Sequence, residues 1–361
     1  MTQLLTAVRA LVIGQRGRNF AASLAFVTIA VFGYLLAPHA ADLREFSLPG
    51  LNLRGADVLI WAYLGYSLLL LTFYLAEKNP RESKSIAAMR ALRMLVVSPR
   101  QVWTDGLPWP DRLGLLTILL KGFFAPLMIL SLFAWTANLL SNAEYLLAHG
   151  DAITARFLEV FNSHGFWFLL QAILFVDVLF FTIGYLVEHP RLKNEIRSVD
   201  PTLLGWGVAL ACYPPINGVV GSIMGWSGAE FPQFEQPVVH VTMNLVLLGL
   251  MAIYASASVA LNFKASNLTH RGIISYGPYR FIRHPAYVCK NLAWWIGTVP
   301  AVMVAWKVSA WSAFLVVGAT AAWTGIYALR ALTEEDHLRK VDGEYDLYCE
   351  KVRYRFIPGV Y

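Results

Sequence analysis

The chain has 361 residues, 57% of them hydrophobic and 14% charged, with a formal net charge of +6 and a mean hydropathy of +0.52. So few polar groups cannot coat a soluble globule of this length, which excludes a water-soluble enzyme or binding module and specifies an integral membrane protein. Basic loops facing anionic lipid account for the positive balance, so no nucleic-acid partner is needed to explain it.

In chain order, stretches 20–37, 57–76, 113–140, 166–187, 202–224 and 238–261 are apolar over a bilayer's width, and two more, 291–306 and 309–331, follow as a tight helical hairpin. The predicted fold class is therefore all-α, a polytopic transmembrane bundle of about eight spans. Loop charge supports the count. Arg9, Arg16 and Arg18 precede the first span, seven Lys or Arg occupy 77–112, and Arg191, Lys193 and Arg197 occupy 188–201. The alternate loops are poor in both residues, and 225–237 has neither. By the positive-inside rule both termini and the segment 262–290 face the cytoplasm, most simply at a cell inner membrane.

Within 77–112, the spacing of Ile86, Met89, Arg90 and Arg93 predicts an amphipathic interfacial helix, and Phe157, Leu158 and Phe161 suggest a short surface helix on the other side. Two charges fall inside spans. Lys121 and Asp177 lie at depths differing by about 3 Å, which predicts either a buried salt bridge or a polar lining to a substrate cavity. Cys212, Cys289 and Cys349 are too scattered for a metal cluster, so no metal site is expected.

From about residue 236 polar groups gather at helix ends. This divides the chain into an N-terminal helical region, 1–235, whose loops carry little chemistry, and a C-terminal domain, 236–361. The stretch "GPYRFIRHPAYVCKNLAWW", 277–295, combines a Gly277-Pro278 turn, the cations Arg280, Arg283 and His284, and Pro285 in the first turn of a helix. Alone it reads equally as an interfacial anchor of Arg and Tyr. The segment "RALTEEDHLRKVDGEYDLYCEKVRYRFIPGVY", 330–361, is charged, yet it ends in more apolar residues than a free tail would carry. It is expected to fold back over 270–287, with Phe356, Ile357, Val360 and Tyr361 covering a pocket.

The two patterns, in this order and separated by a helical hairpin, resemble the isoprenylcysteine carboxyl methyltransferase family and its membrane phospholipid methyltransferase relatives. The resemblance covers the last third of the chain. It implies S-adenosylmethionine bound in a cytoplasm-facing pocket made by the loop, the hairpin and the C-terminal segment. Carried onto this sequence, it implies cofactor contacts from Gly277, Tyr279, Arg283, His284, Pro285, Tyr287 and Glu335, and catalytic roles for Arg330 and Glu334. The acceptor it implies is a lipophilic small molecule or a lipid-anchored substrate, reached among membrane lipids. A carboxylate acceptor needs no general base, whereas an amine needs one, for which Glu334, Glu335 and His284 are candidates. Two other classes stay open: a membrane reductase using a nicotinamide cofactor, and a transporter or assembly factor in which the loop is only an anchor.

Overall fold

The computed structural model of the protein describes residues 14–48 and 50–360, so Arg9 and Tyr361 lie outside the described residues. The described residues are mostly helical, with only two-residue strands, and the chain packs as two compact units, Met1–Ala134 and Trp135–Tyr361. Among the described residues seven helices are long and apolar enough to cross a membrane, which makes this a multi-pass membrane protein.

In the first unit, α1 (Gln15–Leu36) packs against α2 (Gly55–Ala76) and α3 (Lys84–Val97), and Ser23 hydrogen-bonds to both Tyr74 and Ser85 at 2.9 Å. The predicted interfacial helix is α3, started by Ser83, whose hydroxyl accepts from the Ile86 amide. The face it buries differs from the expectation. Ser85, Ala87, Ala88 and Ala91 pack inward while Met89 is exposed, because small side chains let helices approach closely. Arg90 meets Asp111 at 2.7 Å and Glu82 at 2.6 Å. Lys121 belongs to this unit and is an electrostatic neighbour of Tyr74.

The long helix α4 (Trp109–Ala148) runs past the expected end at Leu140, and it accommodates Pro126 without ending there. The expected surface helix through Phe157, Leu158 and Phe161 is instead the leading part of the spanning helix Phe157–Leu186. The continuous α-helical portion of that helix is α5 (Phe166–Leu186).

The second unit continues with α6 (Leu203–Leu210), α7 (Ile216–Met224), α8 (Pro237–Leu261), α9 (Pro285–Val308), α10 (Ala310–Val341) and α11 (Glu344–Lys351). Helix α8 packs on both α5 and α9, and α9 packs along α10 across a turn in which the Ser309 hydroxyl accepts from the Ser312 amide at 3.0 Å. Phe166, Leu170, Leu247, Leu248, Met251 and Ala293 form its core. A two-residue antiparallel ribbon, β1 (Ser198–Val199) with β2 (Thr269–His270), joins the loops at one end.

The stretch 202–224 corrects one expectation. Rather than one spanning helix it is two half-helices, α6 and α7, interrupted at 211–215 where Pro214 and Pro215 deprive the backbone of donors. The Asp200 amide donates to Leu268 O at the ribbon end, Trp323 Nε1 donates to Gly225 O partway along α10, and Asn244 Nδ2 donates to Pro232 O near the start of α8. Gly297 accounts for the close packing of the following segment: a Cβ there would stand 2.2 Å from Ala229 O, and the Ala229 amide donates to Gly297 O.

Candidate functional site

A cavity of about 210 Å³ opens in the second unit where the ribbon, the 262–284 loop, α8, α9, α10 and α11 converge. Each helix contributes by periodicity. Tyr287 and Lys290 lie three apart on α9, and Tyr327, Arg330, Glu334 and His337 recur at three- or four-residue spacing on α10, so each set lines one face.

The loop enters through Gly277, whose φ of +61° is the left-handed region and whose added Cβ would meet Ala260 at 3.0 Å. Two residues on, Tyr279 lines the cavity, and its carbonyl accepts from Tyr348 OH at 2.7 Å. Burial, reinforced by Glu334, pushes the Tyr279 phenol well above its usual range, so it stays neutral. His284 occupies the cap position of α9 and Pro285 opens the helix, as the sequence predicts. The His284 and Tyr287 rings stack with centroids 5.5 Å apart.

From α10, Arg330 reaches into the same space. Its guanidinium lies over the rings of Tyr287 at 5.0 Å and Tyr327 at 5.2 Å, and Nη2 donates to Asn267 Oδ1 at 3.0 Å. Asn267 is held in turn by Tyr185 OH at 2.9 Å and Tyr213 OH at 3.1 Å. Glu334 accepts from Tyr287 OH and lies 4.0 Å from Arg330 and 3.9 Å from His284. Thus Tyr279, Arg283, His284, Tyr287, Arg330 and Glu334 share one cavity, whereas Gly277, Pro285 and Glu335 shape it without lining it.

Glu335 is only 2% exposed and is turned away from the cavity. One oxygen accepts from His284 Nε2 at 3.0 Å and Arg355 Nε at 3.0 Å, and the other from Arg355 Nη2 at 2.9 Å. Arg283 at 3.4 Å and Arg339 at 3.7 Å complete the cluster. This is a clamp on the tail. The Arg283 and His284 amides donate to the carbonyls of Tyr354 and Arg355, so the tail does fold back over the loop. Of the residues expected to cover the pocket, Phe356 sets its ring 5.8 Å from that of His284, a lining residue. None of 353–360 lines the cavity, Ile357 and Val360 are largely exposed, and closure falls instead to Tyr345 and Tyr348 of α11.

Asp177 lies beside the cavity. It accepts from Tyr254 OH at 2.9 Å and from Ser258, two lining residues of α8, with Lys290 as its electrostatic neighbour. These contacts are of the kind a polar lining requires. Sequence reasoning also passed over Tyr213, Asn267, Lys290 and His337. His337 and Lys290 were discoverable as the next residues on faces already marked by Glu334 and Tyr287. Tyr213 and Asn267 carry no such mark, being placed by the helix break and by the loop.

The lining fits a ligand with both an anionic and an aromatic part. Arg330 Nε and His337 Nδ1 are buried without hydrogen-bond partners, which is costly unless a ligand supplies acceptors. Tyr213, Tyr254 and Tyr327 present ring surface to the same space. At the ribbon, His270 Nε2 lies 2.8 Å from Asp342 Oδ2, yet burial, with help from Arg197 and Lys264, outweighs that carboxylate and lowers the His270 pKa.

Comparison with known proteins bears on the second unit alone. The profile of the isoprenylcysteine carboxyl methyltransferase (ICMT) family matches residues 239–340, which bears out over that stretch the resemblance carried by the loop and acidic motifs. No curated protein matches the chain. No solved structure matches it either.

Proposed function

We propose that the protein is a membrane methyltransferase that uses S-adenosylmethionine and acts on a lipophilic or amphiphilic acceptor, with 236–361 as its catalytic domain. One observation carries this reading: the loop motif and the acidic motif, 47 residues apart at Tyr287 and Glu334, meet in a single cavity within the stretch matched by the methyltransferase family. Bound S-adenosylmethionine supplies a methyl group on a sulfonium, an electrophile already activated toward nucleophiles. The residues suited to hold it are Arg330 and His337, through their unpartnered nitrogens, together with His284 and the rings of Tyr287 and Tyr327.

The chain then has three tasks. It aligns the acceptor for in-line attack, a contribution that reaches about 7–11 kcal/mol in well-oriented systems. Arg330 serves this from the donor side, because Asn267 and two flanking rings fix the plane of the guanidinium that holds the donor. It excludes water, for which Tyr345 and Tyr348 close one side of the cavity. It handles a proton only when the acceptor brings one: a carboxylate needs no base, while an amine would pass its proton to Glu334, whose Oε1 already accepts from Tyr287. The loop charges support a reading in which the cavity and both termini face the cytoplasm and the acceptor arrives from the bilayer.

Calorimetric titration of the purified full chain tests the reading. Binding of S-adenosylmethionine that is weakened in both Arg330→Met and His284→Ala is expected. Affinity unchanged in both variants, or saturable binding of a nicotinamide dinucleotide in its place, would remove it.

A further inference from the structure

Arg271 is a buried cation that neither motif explains. It follows β2 directly, lines the ribbon end of the cavity and is 3% exposed. Its Nη1 donates to Asn194 O at 2.9 Å, which leaves Nε and Nη2, both buried and both without a hydrogen-bond partner. These two nitrogens form one edge of the guanidinium, with their N–H bonds parallel, and that edge takes both oxygens of a carboxylate at once. The acidic neighbour of Arg271 is Glu188, which accepts from the Ile196 amide and hydrogen-bonds to neither free nitrogen.

Two more cations meet at the next residue. Gly272 also lines the cavity, at φ +99°, and a Cβ there would stand 3.1 Å from Lys264 Nζ and 3.7 Å from Arg197 Nη2. Lys264 comes from the segment after α8 and Arg197 from the residue before β1, so separate parts of the chain bring charge to one point. Lys193 is a further electrostatic neighbour of Lys264. The carboxylate beside Arg197, Asp342 at 4.0 Å, is held more closely by His270 at 2.8 Å. Converging cations repel one another and bare buried donors are costly, so the ribbon end calls for an oxyanion.

The proposed methyl donor carries one oxyanion, the carboxylate of its amino-acid part. Arg330 and His337 each offer it a single free nitrogen, whereas Arg271 offers the matched pair. We infer that the ribbon end binds the donor's carboxylate, gripped through both oxygens by Arg271 and drawn in by Lys264 and Arg197. Arg271 then sets which way the donor lies, amino-acid end at the ribbon, and Arg330 and His337 remain for acceptor atoms of its nucleoside. The inference rests on the methyl-transfer reading and adds a direction to it.

Calorimetric titration of the full chain with S-adenosylmethionine and with its decarboxylated form separates this subsite from the rest of the cavity. Wild-type protein should bind the carboxylate-bearing form about 10- to 100-fold more tightly, the worth of a hydrogen bond to a charged group. Arg271→Met should erase that preference and leave the affinity for the decarboxylated form unchanged. Arg271→Lys, which keeps the charge and loses the fork, should keep part of it, and Lys264→Met should reduce it in part. Arg271→Gln replaces the Met variant if that one does not fold, because its amide can still donate to Asn194 O. Equal wild-type affinity for the two forms, or Met and Gln variants that weaken both forms equally, would overturn the inference and leave the methyl-transfer reading standing. Wild-type protein that binds neither form would instead remove that reading, and the inference with it.

Discussion

Charges at the tail end of α10 and charges along its middle are treated in opposite ways. Around Glu335 a single carboxylate is surrounded by Arg283, His284, Arg339 and Arg355, and both its oxygens are taken. Around Arg330, about one and a half turns earlier on α10, and Lys290 on the neighbouring helix α9, the cations rest on aromatic rings, and Arg330 keeps a buried nitrogen without a partner. Both oxygens of the clamp carboxylate are engaged, as suits a group that holds the fold, whereas the unpartnered Arg330 Nε in the cavity suits a group that meets a ligand. Neighbours in sequence can fall on opposite sides of that line, as Glu334 and Glu335 do.

The sharpest way to break the comparison is Glu335→Ala. It leaves buried cations without their counter-charge and should destabilise the protein by about 3–5 kcal/mol, read as a lowered melting temperature and faster proteolysis after residue 352. A variant as stable as wild type, with methyl-donor affinity lost, would mean that Glu335 belongs with the ligand-facing group after all. Arg330→Met should do the reverse. Its structural cost is about 1–3 kcal/mol, the loss of one buried hydrogen-bond partner for Asn267, while transfer of labelled methyl to lipid extracts should fall by about two orders of magnitude. Gly277→Ala probes the loop between the two regions. A residue forced to φ +61° and pressed on Ala260 should cost about 1–2 kcal/mol in thermal melting and weaken donor binding through displacement of Tyr279.

The smallest effect concerns acid. The folded pKa of His270 is lowered by burial, so between that value and the ordinary histidine pKa near ~6.5 the unfolded chain binds more protons than the folded one. The stability contributed by neutral His270 is then complete above about pH 6.5 and is lost as pH falls through and below that value. Melting temperatures from pH 7.5 to 5.5 should fall less steeply for His270→Gln than for wild type. Parallel profiles would exclude the histidine as the source.

Much of this was legible in the residues. Span composition announced the membrane class, and the loop motif and Glu334 were found because turn chemistry and charge stand out against an apolar background. Two kinds of feature were not. Which of Glu334 and Glu335 faces the cavity depends on about 100° of helix rotation, which adjacency in sequence conceals although the spacing from Tyr327 and Arg330 contains it. The partners of Asp177 were illegible because depth in a span says nothing about which neighbouring helix supplies the hydroxyls. The break in 202–224 was signalled by Pro214 and Pro215, but an average over hydropathy hides two residues.

That break has a consequence for how the chain enters the membrane. Neither α6 nor α7 is long enough to cross on its own, and a lipid-exposed interruption would leave backbone polar groups stranded in hydrocarbon. The interruption is tolerable in apolar surroundings because the segment packs on α10, with Trp323 donating to Gly225 O, and because Asn267 reaches Tyr213 at the break. During biosynthesis α10 emerges some hundred residues after α6. Residues 203–224 should therefore hold a transmembrane position only once the hairpin of α9 and α10 has followed. Reporter sites placed at 225–236 should be translocated in the full chain and not in one ending at residue 300, so this crossing is a product of tertiary folding rather than its starting point.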